Sequence, residues 1–396
     1  MSSVARLERS DAERSALARC TGDAAAFLEH TWGRRALVHP SADARGFADL
    51  LSLDDVDRLL STTSLRTPSF RLVKAGESIP ESAYTRSGTT GGKAVSGIAD
   101  PVRVFERFHD GATIVLQGLH RLHEPVARFV RDLELELGHP CQVNAYVTPP
   151  GAQGLELHSD GHDVFVLQAF GRKSWEVYAA PSEGKREPLH AEVASGDTIY
   201  MPEGTPHAAR AQESVSGHLT VGVHVTPWRE VVSAAVRGAL ASDASFDEPV
   251  PAGWTADPSA LARELASRLA RAGEELGRVD AERFVSDRWV SFLSSRAALL
   301  RGGLVDLLEL ELIREGSLLE RRPGSVLVIR KLDDRLLVLL GDRRLEMPLW
   351  LEPAMLRIAA EPRFRPADLE ASVPDEASRL VLVRRLVREG LLRLGQ

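Results

Sequence analysis

The stretch NAYVTPPGAQGLELHSDGHDVFVLQAFGRKSWEVY, residues 144–178, decides the fold. It alternates short apolar runs, rich in β-branched and aromatic residues, with turn residues such as Pro149, Pro150 and Gly171. Such runs continue to about Trp228, and the set is QVNAYVT, DVFVLQAF, KSWEVYA, DTIYM and HLTVGVHVT. Many short strands divided by Gly- and Pro-containing turns are typical of a sandwich or barrel of the jelly-roll kind.

The sequence before this β-rich region has a different texture. Residues 1 to about 60 predict short helices and loops, with one strand near 35–38. The Gly-, Ser- and Thr-rich segment 69–99 predicts a flexible surface loop. Residues 101–137 place apolar side chains at three-and-four spacing, including Ile114 and Leu116, which predicts helix throughout.

Helical patterns also follow the β-rich region. Asp257 and Pro258 predict a helix start, with the Asp as N-cap and the Pro at the first helical position. Further helices are expected to about Gly316. The last part predicts two strands and then two helices, in VLVIR, LLVLLG, EPAMLRIAAE and residues 375–394. The helix that starts at Pro258 carries a leucine stripe, formed by Leu261, Leu265 and Leu269, which suits pairing with another helix or, alternatively, packing on the chain's own β-domain.

Composition limits the class of protein. A chain of 396 residues exceeds the size of a single hydrophobic core, so about two or three domains are expected. The net charge of -7 argues against a wholesale nucleic-acid binder. Cys20 and Cys141 are too far apart in sequence to suggest a zinc motif. The charged N-terminus does not resemble a secretory signal, and no apolar run reaches about 18 residues, so we expect no membrane association and a cytoplasmic location.

Two features of the β-rich region predict a metal site. His158 and Asp160 are two residues apart, so on an extended segment both project to the same face. His207, which follows the turn-forming sequence PEGTP, is the natural third ligand. Two histidines and one carboxylate leave coordination positions open, as in non-haem Fe(II) oxygenases. The alternative is that these residues belong to surface turns with incidental histidines.

Three other histidines have simpler interpretations. His162 could be mistaken for a ligand, but the set of three is complete without it, and a position at the rim or against substrate is the alternative. His218 and His224 lie on a β-like run and are expected to be packed or hydrogen-bonded strand residues.

Residues 144–178, together with SGDTIYMPEGTPHAA at 195–209, closely resemble the JmjC-type ribosomal oxygenases, cupin-like enzymes that hydroxylate ribosomal proteins. The resemblance extends more weakly to the whole chain. It implies an α+β protein whose double-stranded β-helix (jelly-roll/cupin) catalytic domain, with flanking helices, occupies 1–228. It also implies a helical dimerisation region over 229–320 and a C-terminal winged-helix-like domain over 321–396.

The resemblance further implies that the two histidines and the aspartate bind Fe(II), with 2-oxoglutarate as co-substrate. Asn144 and Lys173 match positions that contact 2-oxoglutarate, Lys173 by pairing with its distal carboxylate, and Thr220 matches a further hydroxyl contact. The chain has only five lysines, and a buried lysine requires a nearby anion. The alternative is an exposed lysine in a turn after Gly171. If Lys173 is buried instead, its neighbour Arg172 points to the opposite face.

The implied reaction is hydroxylation of an amino-acid side chain of a protein substrate, a ribosomal protein, by a homodimeric enzyme without direct nucleic-acid binding. One alternative is a hydroxylase that tailors a peptide natural product or a free amino acid, and another is a demethylase of methylated lysine. A third is a non-catalytic cupin/winged-helix DNA-binding regulator. The observation that favours it is the arginine-rich last helix, with Arg379, Arg384, Arg385, Arg388 and Arg393.

Overall fold

The computed structural model describes residues 15–41, 46–152, 156–179, 187–211 and 213–395. The short helices expected within the first 14 residues lie outside these ranges. The described residues form two compact units, the first ending at Val225 and the second beginning at Thr226. Within the described ranges, no helix is both long and apolar enough to cross a bilayer.

The first unit combines helices with many short strands. Local side-chain caps start several helices: Ser52 and Asp55 form a capping box, and Asp100 caps the helix that opens with Pro101. The elements, in chain order, are α1 (Ala16–Thr21), α2 (Ala24–His30), β1 (Leu37–His39), α3 (Leu53–Thr62), β2 (Phe70–Lys74), β3 (Glu77–Ser78), β4 (Thr85–Thr90), β5 (Lys93–Ala99), α4 (Pro101–His109), β6 (Thr113–Leu116), α5 (Glu124–Leu137), β7 (Cys141–Thr148), β8 (Asp163–Phe170), β9 (Arg172–Val177), β10 (Leu189–Ala194), β11 (Thr198–Met201), β12 (His207–Ala211) and β13 (Ser216–Val223).

The prediction of a flexible loop over residues 69–99 was wrong. The segment contains β2, β3 and a hairpin in which β4 pairs antiparallel with β5. Gly91 and Gly92 form its turn with φ of +57° and +78°. Two successive residues with positive φ suit the right-handed twist of a hairpin, so this Gly-Gly pair marks a tight turn instead of a loop.

The prediction of continuous helix over residues 101–137 was also wrong. Helix α4 ends at His109, and the run Thr-Ile-Val-Leu then forms β6 before α5 begins at Glu124. Ile114 and Leu116 therefore lie on a strand. A short apolar run fits either a strand or a buried turn of helix by periodicity alone, and here its β-branched residues favour the strand.

Apart from the β4–β5 hairpin, the strands of the first unit form two antiparallel sheets that face each other. In the described residues the major sheet has the order β1-β11-β8-β13-β7-β6-β2-β3, and the minor sheet has the order β10-β9-β12. All five apolar runs form strands, namely β7, β8, β9, β11 and β13. The jelly-roll prediction is therefore confirmed. Strands β10 and β12 were not predicted, because their sequences LHAEVA and HAARA lack an apolar run.

Both faces of the major sheet are buried, and the alternation of side chains along each strand determines which residues lie on which face. On β7, Val143, Ala145 and Val147 join the large apolar cluster formed with the helices. Side chains on the opposite face, such as Val164 and Trp175 from the two sheets, form a smaller apolar cluster between the sheets. A fully buried side chain of this size contributes about 1.5 to 3 kcal/mol, so these two layers fix which face of each strand looks between the sheets.

The second unit confirms the predicted order of its main elements. Asp257 accepts a hydrogen bond from Ala260 N and caps a helix that begins at Pro258, as predicted. The predicted strand-strand-helix-helix order near the C-terminus is also present, with additional short strands. The last helix is shorter than predicted: it ends at Arg388, and Arg393 lies on a short strand, Leu392–Leu394. The elements are α6 (Trp228–Leu240), α7 (Pro258–Gly277), α8 (Ala281–Ser294), α9 (Gly303–Leu308), β14 (Leu319–Arg321), β15 (Val328–Lys331), β16 (Arg335–Leu340), β17 (Arg343–Pro348), α10 (Glu352–Ala360), β18 (Arg363–Phe364), α11 (Glu376–Arg388) and β19 (Leu392–Leu394).

The small strands of the second unit form two antiparallel sheets, with the orders β15-β16-β17 and β18-β14-β19. Buried side chains of α10 and α11, among them Met355 and Leu386, pack in one apolar cluster with these strands. The assignments of 229–320 to dimerisation and of 321–396 to a winged helix remain predictions.

Candidate functional site

A cavity lies between the major and minor sheets of the first unit. The lining side chains occupy alternate positions on β7, β9 and β13, because only every second residue of a strand faces the space between the sheets. All six residues predicted as metal ligands or co-substrate contacts line this cavity: Asn144, His158, Asp160, Lys173, His207 and Thr220.

Main-chain hydrogen bonds bring the two motif segments together. His158 and His207 form an isolated antiparallel bridge, and Gly204 N donates to the carbonyl oxygen of Asp160 over 2.9 Å. His207 is the first residue of β12, directly after the turn that ends β11. One donor atom from each of His158, Asp160 and His207 lies within 4.8 Å of the others, a separation that suits a shared metal ion.

The two histidine rings are held in the tautomer that metal binding requires. Nδ1 of His158 lies 2.7 Å from the carbonyl oxygen of Glu156, and Nδ1 of His207 lies 3.0 Å from that of Thr205. A carbonyl oxygen only accepts, so each Nδ1 carries the proton and each Nε2 keeps its lone pair. The Nε2 atom of His207 is 3.6 Å from Asp160 Oδ2. Burial lowers the pKa of His207, which favours the neutral, ligating form.

Lys173 is buried at one end of the cavity. Its side chain is 2% exposed, while Arg172 is exposed, so the interpretation of Lys173 as a solvent-exposed turn residue was wrong. Lys173 Nζ donates to Thr148 Oγ1 over 3.2 Å and lies 3.4 Å from His218 Nδ1. Both contacts are neutral, and burial lowers the pKa of Lys173 to about 7. An anion bound here would supply the countercharge that these contacts do not.

His218 is buried, as expected of a strand residue, but it also belongs to the cavity. Its ring stacks on Tyr146 with centroids 5.1 Å apart and meets Trp175 edge to face at 5.4 Å. The pKa of His218 lies well below its usual value because of burial and the neighbouring charge of Lys173. A neutral His218 can accept a hydrogen bond from Lys173 through Nδ1.

Asn144 and Thr220 are directly opposite each other on β7 and β13. Asn144 Oδ1 accepts from Gly118 N over 3.0 Å, which leaves the amide nitrogen as the remaining polar group of that side chain. Tyr146 lines the cavity two residues further along β7, and its ring stacks on that of His218. Sequence reasoning missed Tyr146, although the alternation within QVNAYVT places it on the same face as Asn144.

His162 lines another part of the cavity. Its Nε2 is 3.4 Å from Gln142 Nε2, and its ring meets the ring of His224 edge to face at 5.2 Å. In the described part of the chain, the group of close donor atoms comprises His158, Asp160 and His207 without His162. His162 therefore lies in the cavity lining but outside the group of close donor atoms.

The β-rich part of the first unit is similar to a known domain family. Residues 120–231 match the family of JmjC domains. The chain therefore carries a JmjC domain, and the cupin-type fold expected from the sequence is confirmed.

Two curated proteins show which JmjC proteins this chain resembles. Human ribosomal oxygenase 1 is 27% identical over 247 residues, which cover 57% of this chain and 37% of that protein. Bovine ribosomal oxygenase 2 is 31% identical over 157 residues, which cover 36% of this chain and 34% of that protein. The resemblance to the JmjC-type ribosomal oxygenases is thus confirmed. The chain spans about two fifths or less of the length of these curated relatives.

The fold similarity covers nearly the whole chain. The structure of the Escherichia coli ribosomal oxygenase YcfD in complex with cobalt and 2-oxoglutarate matches 94% of this chain and 98% of its own, with a TM-score of 0.54. The sequence identity is 20%, so this likeness shows a shared fold.

Proposed function

We propose that this chain is an Fe(II)- and 2-oxoglutarate-dependent oxygenase that hydroxylates an amino-acid side chain of a protein. The observation that carries the proposal is the donor set of His158, Asp160 and His207, with ligand atoms within 4.8 Å of one another. The set fits iron, since both imidazoles keep Nε2 free and a facial group of two histidines and one carboxylate leaves positions open. Iron held by these three residues would supply activation of dioxygen, the oxidant, of which one oxygen atom enters a C–H bond of the substrate while the other converts 2-oxoglutarate into succinate and carbon dioxide.

The buried end of the cavity supports a dicarboxylate co-substrate. In this proposal Lys173 pairs with the distal carboxylate of 2-oxoglutarate, because its described contacts with Thr148 and His218 leave its charge uncompensated. Thr148 and His218 then orient the ammonium group. The amide nitrogen of Asn144 and the hydroxyl of Thr220, which face the same cavity, are proposed to contact the co-substrate as well.

The substrate is proposed to be a ribosomal protein, as the names of the relatives suggest. Charge supports a basic partner. Residues 321–396 contain 15 basic and 11 acidic residues, a net charge of +4. Because the whole chain carries -7, the remainder carries -11. The hydroxylated carbon is proposed to be a β-carbon. The Drosophila simulans relative is named a bifunctional lysine-specific demethylase and histidyl-hydroxylase, so demethylation is a distinct outcome that the experiment must separate.

The arginines near the C-terminus do not favour the alternative of a DNA-binding regulator. Arg379 pairs with Glu315 and Arg384 with Glu311, while Arg393 pairs with Glu320. Side chains held by carboxylates present less free positive charge to a phosphate backbone. We propose instead that residues 229–320 form a dimerisation region and that 321–396 form a winged-helix-like domain without direct nucleic-acid binding.

The deciding experiment incubates the purified protein with Fe(II), 2-oxoglutarate and isolated ribosomal proteins. Succinate is measured, and the proteins are searched by mass spectrometry for a gain of one oxygen atom. We expect both products, and neither with His207→Ala. Loss of a methyl group from lysine would instead indicate demethylation. Salt-dependent DNA binding without succinate formation would contradict the proposal and favour the regulator.

A further inference from the structure

We propose that Asp163 is a positioning residue that holds the two ligand-bearing segments, 158–160 and 202–207, in the geometry that metal binding requires. The inference rests on the proposed metal site, but Asp163 is not itself one of the three ligands. It is the first residue of β8, immediately after the segment that carries His158 and Asp160.

The carboxylate of Asp163 is buried, and each of its oxygens accepts a hydrogen bond. The residue is 4% exposed. Its Oδ1 accepts from the main-chain N–H of Glu203 over 2.9 Å, and its Oδ2 accepts from the hydroxyl of Tyr200 in a short hydrogen bond. The Tyr200 hydroxyl in turn accepts from Gly33 N over 2.8 Å. The side chain of Asp163 therefore links the start of β8 to the end of β11 and to the turn that follows it.

Each partner suits a carboxylate in this position. Burial and the neighbouring charge of Asp163 raise the pKa of Tyr200, which keeps its hydroxyl protonated and able to donate. Burial raises the pKa of Asp163, but the hydrogen bonds from Tyr200 and Glu203 act in the opposite direction. A buried carboxylate is tolerated when donors satisfy both oxygens, and here one donor belongs to the turn before His207.

The geometry connects this contact directly to the ligands. Two neighbouring N–H groups of the turn after β11 make these contacts. Glu203 N donates to the Asp163 carboxylate, and Gly204 N donates to the Asp160 carbonyl oxygen. The turn is thus attached twice to the segment that carries Asp160. His207 follows three residues after Gly204, and its Nε2 lies 3.6 Å from Asp160 Oδ2. Groups that orient ligands in this way commonly alter metal affinity when they are removed.

Cobalt(II) is the probe for the test, because its binding can be followed by absorption and calorimetry without any turnover. Asp163→Ala should weaken Co(II) binding by roughly tenfold or more, since the turn before His207 loses its side-chain anchor. Asp163→Asn keeps an oxygen that can accept from Glu203 N, so its affinity should stay within about threefold of the unmodified protein.

Asp197 offers a matched control. Its carboxylate also accepts two hydrogen bonds, from Ser41 N over 3.0 Å and from Ala194 N over 2.7 Å, but at the opposite end of β11. Asp197→Ala should therefore lower the melting temperature while leaving Co(II) affinity within about threefold. An equal loss of affinity in this variant would show that general destabilisation explains the effect, and would overturn the proposal.

The outcomes separate this inference from the proposed function. If the unmodified protein does not bind Co(II), both the proposed metal site and the proposed role of Asp163 are contradicted. If it binds Co(II) and folded Asp163→Ala binds equally well, only the role of Asp163 is overturned. Should Asp163→Ala fail to fold, Tyr200→Phe decides, because it removes one anchor of the carboxylate. A loss of more than about threefold and up to roughly tenfold is expected there, and a change within about threefold would overturn the proposal.

Discussion

The main-chain N–H groups of His158 and His207 each donate to the carbonyl oxygen of the other, over 3.1 and 2.8 Å. This pair brings the two rings to a centroid separation of 4.4 Å, although the residues belong to different motifs. Because the bridge is made by the backbone, it does not depend on either imidazole. Replacing a ring should therefore remove a donor atom without separating the two segments.

We predict that His158→Ala, Asp160→Ala and His207→Ala each abolish iron-dependent succinate formation while the melting temperature changes little. An open catalytic site loses chemistry before stability when one of three ligands is removed. Succinate release and circular dichroism melting curves measure the two effects. His190→Ala is the control, since that side chain is 72% exposed on β10. Turnover retained by any of the three variants would exclude that residue as a ligand.

We predict that Lys173→Ala raises the 2-oxoglutarate concentration needed for half-maximal turnover by roughly tenfold or more. A desolvated, charge-assisted hydrogen bond to a carboxylate contributes about 1.5 to 3 kcal/mol. The measurement is succinate formation over a range of 2-oxoglutarate concentrations. Lys331→Ala is the matched control, because that lysine is 52% exposed and pairs with Glu352. The same co-substrate requirement in both variants would show that Lys173 does not bind 2-oxoglutarate.

The fold was predictable where local pattern and tertiary environment agree. The run DVFVLQAF forms β8 and is buried from Asp163 to Ala169, and its apolar, β-branched residues predicted a strand. The errors arose where one pattern fits two structures. The sequence around Gly91 and Gly92 resembles a loop by composition, yet it forms a hairpin turn. The run at 113–116 continued a helical spacing, yet it pairs with β2 and β7 in the major sheet.

The candidate site was predictable where its residues lie in recognisable motifs or match the family pattern, as Asn144, Lys173 and Thr220 do, and not where strand pairing alone brings residues to it. His158, Asp160 and His207 follow from spacing and turn residues alone. Tyr146 and His218 meet because they are opposite each other in the β7 and β13 register. Alternation shows which face a residue occupies, but it does not show which strand lies beside it. Long-range pairing therefore determined the part of the site that was missed.

The pKa of Lys173 predicts how co-substrate binding depends on pH. Burial lowers this pKa to about 7 in the ligand-free protein, so the ammonium is charged below pH 7 and increasingly neutral above it. A carboxylate binds the charged form and raises the lysine pKa in the complex. Affinity for 2-oxoglutarate should therefore be highest below about pH 7 and fall by up to roughly tenfold per pH unit above it.

The control for this pH dependence is Lys173→Arg, whose guanidinium remains charged throughout the range. Binding of 2-oxoglutarate to Mn(II)-loaded protein is measured by calorimetry between pH 6 and 9 for both proteins. Because both proteins carry the same metal site, the ratio of their affinities isolates the contribution of residue 173. A ratio that is constant from pH 6 to 9 would contradict the assignment of the titration to Lys173.

The last prediction concerns assembly and rests on the leucine stripe of α7. Leu265 is 53% exposed and Leu269 is 63% exposed in the single chain, so neither belongs to the core of its own unit. An apolar stripe of this kind suits pairing with a second copy, and we expect light scattering at micromolar concentration to give twice the chain mass of 43.2 kDa. Replacing both leucines with glutamate should yield folded monomers, because the interface would bury unpaired charge. Val381→Glu, at a position 67% exposed on α11, should leave the dimer intact. A mass near 43.2 kDa for the unmodified protein would contradict the prediction.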